Sequence, residues 1–288
     1  MAVERSQEHL VREHFEKVAA NYASFYRGES SEAHSFNIRL RRVSEMLPPK
    51  VGTMVDVGCG PGILLRWVLE ERHRSPDPSA RLVGLDFAAE MLREADRFVE
   101  VGGNARRSYF LCGEAGRLPF GEGTVDTVTC MGLMEYLDDE ESVLAEVSRA
   151  MRPEGVVIIT LPNLWSPYRL WHRLLNRVFR ALRAMFPHSG MLKNIEFMVG
   201  PFTKGIAHRE YSEGAYKKFL RRFELEPVDV CYYNFKLFLT PLDKWFPKLT
   251  VSVSRRLERL GRSPASRFLA TAFIIKARKG TGDGHRAV

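Results

Sequence analysis

The sequence predicts an α/β fold in which helices cover both faces of a parallel sheet, with a helical cap ahead of it and a helical insertion after the fifth strand. Three observations carry this. From residue 53 onward, short apolar runs alternate with segments of helical period, as successive strand–helix units require. A glycine-rich turn, Gly58-Cys59-Gly60-Pro61-Gly62, joins the first apolar run to the next helical segment. And 288 residues, 45% hydrophobic and 27% charged, suffice for one large domain with insertions and an ordinary core. Collagen-like, low-complexity and wholly disordered chains are excluded. No apolar stretch approaches the ~20 residues of a membrane span. The N-terminal residues lack the apolar segment of a secretory signal, so a cytoplasmic protein is expected.

Residues 1–50 form the expected cap. Leu10, Val11, His14, Phe15, Val18 and Tyr22 recur at helical spacing, and a second helix over 36–47 stops at Pro48-Pro49. The core, 51–162, holds strands at 53–57, 81–85, 108–112, 125–130 and 156–161, and helices at 63–71, 89–99 and 139–151. Residues 163–210 are too long for an ordinary connection and carry a helical pattern of their own, which marks an insertion. The segment 211–279 returns to the sheet with a helix at 212–223 and strands near 227–233 and 268–277. A second, irregular insertion spans 236–267. The glycine-rich tail, 280–288, is expected to be disordered.

Cys59, Cys112, Cys130 and Cys231 form no CxxC pair and no metal-ligand spacing. Three lie at or just past strand ends, which suits buried, reduced thiols. The net charge of +8 suggests an anionic partner without choosing among nucleic acid, membrane and acidic substrate.

The chemistry concentrates at the carboxyl ends of the strands. Gly58, Gly60 and Gly62 make a G-x-G-x-G turn with Asp56 two residues ahead, unlike the dinucleotide G-x-G-x-x-G. No Lys-Ser/Thr follows, which excludes a nucleotide-triphosphate loop. The second strand ends at Asp86, whose carboxylate can accept hydrogen bonds from both ribose hydroxyls of an adenosine. Phe87 can pack on an adenine face, with Met91 one turn on. Glu114 ends the third strand, with Ala115 beside it, where an adenine amino group can donate. Met131 brings the fourth strand to the same edge.

Residues 51–161 thus resemble a class I S-adenosylmethionine (SAM)-dependent methyltransferase of the type 11 group. The matching stretches are VDVGCGPG, GLDFAAEML, CGEAGRLPF, VDTVTCMGLMEYLDD and VLAEVSRAMRPEGVVIITLPN. The resemblance implies a Rossmann-like, seven-stranded, mostly parallel sheet with a reversed last strand. It implies SAM as cofactor and S-adenosylhomocysteine as product. Gly58, Gly60 and Asp86 would bind the cofactor, and Asp56, Cys59 and Gly62 are grouped with them. Glu114 and Ala115 would flank adenine, Met131 would lie near the methionine moiety, and Tyr22 would reach in from the cap. The stretch CMGLMEY is similar to CMEMLEH of the ubiquinone-biosynthesis O-methyltransferases. Asn37-Ile38-Arg39-Leu40 looks like their NPLRL, which would make Arg39 a cofactor contact. Their proposed metal positions are Gly132 and Tyr136 here, leaving Glu135, and no metal is predicted.

An acceptor oxygen must lose a proton, and a histidine is the natural base near neutral pH. His208 is the first candidate; His14 and His34 on the cap are others. The insertion places Arg169, Arg173, Arg177, Arg180 and Arg183 at helical intervals among Trp171, Leu174, Leu175, Val178, Phe179 and Leu182. That pattern suits the headgroup boundary of an anionic membrane. Phe238, Leu242, Trp245, Phe246 and Leu249, ahead of Arg255 and Arg256, repeat it. The expected acceptor is therefore a small, amphiphilic or lipid-linked molecule, O-methylated by a cytoplasmic protein at the inner face of the membrane. The alternatives are a soluble metabolite under a lid, RNA, and a SAM-binding protein without turnover. Nucleic acid ranks lower because no RNA-binding module flanks the domain.

Overall fold

The computed structural model describes residues 7–72, 80–100, 108–185, 206, 208–239 and 242–281. The cap consists of α1 (Gln7–Tyr22), a 3-10 turn (Ala23–Tyr26) and α2 (Ser31–Met46). The core follows as β1 (Thr53–Val57), α3 (Ile63–Arg72), β2 (Arg81–Asp86), α4 (Ala89–Glu100), β3 (Ser108–Cys112), β4 (Val125–Cys130), α5 (Glu140–Ala150) and β5 (Met151–Pro162). Then come α6 (Pro167–Met185), α7 (Glu213–Arg221), β6 (Leu225–Tyr233), α8 (Leu242–Trp245), α9 (Pro247–Leu257) and β7 (Ala272–Lys279).

The seven strands form one sheet in the order β3-β2-β1-β4-β5-β7-β6, parallel except for β7, which runs against both neighbours. Both faces are covered, so the central strands are mostly apolar, with Asp56, Thr127 and Thr129 buried among them, and period two sorts their side chains between two cores. Val55, Val157, Ile159, Phe273 and Ile275 point to the face closed by α5 and α7. Met54, Val156, Ile158 and Ile274 point to the other, with Leu64 and Leu65 of α3 and Val43 of α2. The fold is the one the resemblance implies.

Several boundaries differ from expectation, each for a local reason. α2 starts at Ser31 rather than 36 because Ser30 caps it, its side chain accepting from the Ala33 N–H at 3.0 Å. β5 starts at Met151 rather than 156. A register shift against β4 and a left-handed Glu154 (φ 63°) carry the chain through a kinked lead-in. β7 starts at Ala272, not 268. Residues Pro264–Phe268 form a 3-10 turn, and Asn163 Nδ2 donates to the carbonyls of Arg267 (2.7 Å) and Ala270 (2.8 Å). The stretch 236–267, expected to be irregular, contains α8, α9 and two 3-10 turns.

Cys59, Cys130 and Cys231 are buried and Cys112 is exposed; all four are free thiols. Residues 186–205 of the first insertion and 282–288 of the tail lie outside the described residues, as do the side chains of Phe179, Arg180 and Arg183. No helix among the described residues is long and apolar enough to cross a membrane.

Candidate functional site

The strand order reverses beside β1, whose neighbours are β2 and β4, and the carboxyl ends of β1 to β4 open there into a cavity of about 380 Å³. Gly58 and Gly60 form its floor, Asp86, Phe87 and Met91 one side, and Glu114 and Ala115 the other. Met131 lies at the β4 end, and Tyr22 closes the cavity from the cap. Nine of the residues expected to bind the cofactor therefore line one cavity.

The glycine turn is left-handed at three alternate residues, Gly58 (φ 72°), Gly60 (φ 52°) and Gly62 (φ 70°). A side chain at any of them would be strained. The turn is laced to the end of β2. The N–H groups of Gly58 and Cys59 both donate to the Leu85 carbonyl, at 2.7 and 3.1 Å. Asp86 completes the lacing: Oδ2 accepts from the Gly60 N–H (2.8 Å) and Oδ1 from the Ala88 N–H at the start of α4 (2.9 Å). Burial raises the Asp86 pKa while these backbone donors pull it back. Each oxygen keeps a second lone pair for a ligand.

The cap is held over the cavity by specific contacts. Ala19 of α1 packs on Ala88 and Met91, with Phe15, Val18, Tyr22 and Phe87 around them. The Arg12 guanidinium lies 5.1 Å from the ring centroid of Phe87, expected to pack on adenine, and 3.9 Å from a carboxylate oxygen of Glu114, expected to flank it. Gln7 Nε2 donates to the Tyr136 carbonyl at 3.2 Å.

Arg39 does not line the cavity but stands directly behind it. The Tyr22 and Tyr26 hydroxyls, Tyr233 and Glu135 all lie close enough to act on its charge. A Cβ on Gly132 would come within 2.5 Å of Arg39 Nη1, and Gly132 is left-handed (φ 71°). The glycine at the position where a metal ligand was sought thus makes room for a guanidinium. Glu135 is buried, and its Oε2 has no hydrogen-bond partner among the described residues. Burial raises its pKa, against the pull of Arg39 and Arg169.

Three other candidates stand outside the cavity lining in supporting roles. Asp56 lies beneath the turn, its Oδ1 accepting from Thr129 Oγ1 at 2.6 Å. Burial, with the Asp86 charge adding, pushes its pKa up to about 7. The Cys59 thiol is buried and its pKa raised well above the ordinary range, which removes it as a nucleophile. At Gly62 a Cβ would meet Phe110 at 3.1 Å, so that glycine lets α3 start close to β3.

The histidines separate. The His208 ring packs edge-on against Tyr136, centroids 4.8 Å apart, and Tyr136 lines the cavity. The segment carrying it is pinned. Arg209 donates from its N–H to the Glu135 carbonyl (3.1 Å), and Tyr211 donates from its hydroxyl to the Met134 carbonyl (2.9 Å). Partial burial, then Arg169 and His14, lower the His208 pKa below 6.5, so the ring is neutral at pH 7. His14, on α1, has its pKa lowered by burial and Lys17, and its ring meets Phe15. His34 is not at this site: its Nε2 lies 3.1 Å from Ser254 Oγ in a separate groove.

Sequence reasoning missed Val11, Phe15, Leu133, Tyr136 and Leu137 as cavity residues. Phe15 was legible in principle, being two turns from Tyr22 on one face of α1. Tyr136 joins the cap to His208: its ring lies 5.3 Å from Phe15 on one side and 4.8 Å from the His208 ring on the other.

Comparison with known proteins agrees with this geometry. Residues 55–159 match a family described as a methyltransferase domain. The chain is 25% identical over 246 residues to a demethylmenaquinone methyltransferase of Staphylococcus carnosus, covering 74% of this chain and 97% of that one. It is 30% identical over 151 residues to a ubiquinone biosynthesis O-methyltransferase of Vibrio campbellii, covering 52% and 60%. Among solved structures, the fold is similar to that in a Haloferax volcanii complex between the Trm112 methyltransferase activator and a putative methyltransferase. There the TM-score is 0.58 at 19% identity, over 92% of this chain and 97% of that one.

Proposed function

We propose that this chain, a class I SAM-dependent methyltransferase by its domain at residues 55–159, O-methylates a small amphiphilic acceptor met at an anionic membrane surface. The observation that carries the membrane half is the outer surface of α6. Leu170, Leu174, Val178, Leu182 and Met185 recur every three or four residues and all are exposed, Leu174 by 52% and Met185 by 68%. Leu242, Trp245, Phe246 and Leu249 on α8 and α9 are exposed as well. A lid packed over a pocket would turn such a stripe inward. Arg169 and Arg173 pair with Glu210 at 3.6 and 2.7 Å, while Arg177 stays exposed beside the apolar stripe.

The residues present fit SAM. A side-chain-free turn, an acid at the end of β2 and an aromatic residue after it are what an adenosyl group needs. Arg39, behind Met131 and Gly132, supplies positive charge suited to the carboxylate of the methionine moiety. When bound, SAM supplies a methyl already activated on a sulfonium, for in-line displacement that releases S-adenosylhomocysteine. The chain has then to position the acceptor, exclude water and take one proton. Phe15, Tyr22 and Tyr136 wall the cavity with rings suited to a flat, conjugated acceptor. That fits the demethylmenaquinone named for the first relative above and the ubiquinone biosynthesis named for the second.

His208 is the proposed base. Neutral at pH 7, it can accept the acceptor's hydroxyl proton as the oxygen–carbon bond forms. His208→Gln is expected to lower kcat about 100-fold with little change in KM. In the wild type, kcat falls on the acid side as the ring protonates, at a pH below 6.5; that limb is absent in the variant. Equal kcat, or an unchanged acid limb, removes His208 from the chemistry.

Flotation with phosphatidylglycerol vesicles tests the surface. Each half-exposed leucine or valine that enters the interface contributes roughly 1 kcal/mol, and a carboxylate there opposes it. Leu174→Glu with Val178→Glu is therefore expected to cut vesicle binding more than about tenfold. Equal binding by the double variant, or none by wild type, contradicts the membrane reading.

A further inference from the structure

α2 divides two cavities. One side presents Arg39 to the back of the cofactor site. The other carries His34, Arg41 and Arg42 into a separate groove of about 900 Å³, closed opposite by α9 and the turn after it with Arg255, Arg259 and Arg262. Five arginines meet two carboxylates there, Glu45 and Glu258.

Both carboxylates are already engaged. Glu45 takes Arg41 Nε and Arg42 Nη1, each at 2.8 Å. Glu258 Oε1 accepts from the Asn234 N–H at 2.8 Å, and its Oε2 lies 3.6 Å from Arg42 Nη2. Arg262 is paired outside the lining, with Asp229 at 2.8 Å. Arg255 and Arg259 meet no carboxylate among the described residues. Arg255 stands on the last turn of α9 and Arg259 in the 3-10 turn after it, so their like charges add on one side of the groove. Stabilisation of a helix C-terminus explains Arg255 on the last turn of α9, but not Arg259 beyond it or Arg41 across the groove. His34 senses the excess: burial first, then Arg255 and Lys236, lower its pKa.

We propose that this groove binds a phosphoryl group, with Arg255 and Arg259 donating to its oxygens and Arg41 and His34 facing them from α2. Guanidinium forks match phosphate oxygens in pairs, and the volume holds a diphosphate or a phospholipid headgroup. The inference is independent of the acceptor's identity, because no residue of the groove lines the cofactor cavity.

The test uses the full chain at fixed ionic strength. Inorganic pyrophosphate is titrated by calorimetry, with the His34 ring signals followed by NMR. Vesicles of phosphatidylglycerol are compared with neutral phosphatidylcholine in parallel. The expected result is saturable one-to-one binding of pyrophosphate, a rise in the His34 pKa, and at least about tenfold weaker binding by Arg255→Gln/Arg259→Gln. SAM affinity of that variant stays at the wild-type level, which shows that the fold is intact. Pyrophosphate binding lost in the variant assigns the groove to a soluble phosphate compound. Binding seen only with phosphatidylglycerol vesicles, and lost in the variant, assigns it to a lipid headgroup. No saturable binding of either probe, or equal binding by wild type and variant, overturns the proposal.

Discussion

Asp86→Ala is expected to lose SAM affinity about 100-fold or more, together with a measurable loss of stability. Two hydrogen bonds from ribose hydroxyls to a carboxylate contribute about 1.5–3 kcal/mol each, so losing both exceeds the 2.7 kcal/mol of a hundredfold change. The structural loss has a separate origin. The same carboxylate holds the Gly60 N–H and the Ala88 N–H, so the variant frees both the glycine turn and the start of α4. Calorimetric titration with SAM measures the first effect and thermal unfolding the second. Near-wild-type affinity in Asp86→Ala would sink the ribose assignment.

Arg39→Ala is the second large effect, and it depends on pH. Arg39 is the cation nearest to two buried acids, Glu135 and Asp56, whose pKa values are already raised by burial. Removing it leaves them uncompensated, a change that costs about 3 kcal/mol or more when the acids are ionised. For a chain of this length that is a fall of roughly 6–12 °C in Tm. The sign with pH follows from the raised values. Above the unfolded carboxylate pKa, the folded state holds more protons than the unfolded one, so stability falls as pH rises through about 7, the Asp56 value. The deficit of the variant is thus larger at pH 8 than at pH 5.5. Thermal unfolding at the two pH values checks it, and a deficit that is equal at both contradicts the role given to Arg39.

The sheet was legible because its strands are buried on both faces. Runs such as Val156–Val157–Ile158–Ile159 have no other stable placement between flanking helices. The cofactor cavity was legible because its residues sit at strand ends, where topology alone brings them together. Arg39 was seen through a short motif, but its contacts depend on Gly132, nearly a hundred residues away, and no local pattern reports such a pairing. Asp56 and Gly62 were grouped as ligand contacts by proximity in sequence, whereas one points below the turn and the other packs against β3. The arginines of α6 showed helical spacing but not orientation. Glu210, which pairs with Arg169 and Arg173, stands some forty residues on, at the far end of the insertion. α8 and α9 were hidden because Pro241 and Pro247 interrupt the period, although Pro247 sits at the first turn of α9, where its missing N–H costs nothing.

Methyl transfer to an amphiphilic acceptor, the function proposed above, is tested by a labelled-methyl experiment. The protein is incubated with methyl-labelled SAM and an extract of its source cells, and organic-soluble, aqueous, RNA and protein fractions are separated. Label is expected in the organic phase and is expected to disappear with Asp86→Ala. Label in the aqueous or RNA fraction, or none in any fraction while SAM still binds, would contradict the proposed function.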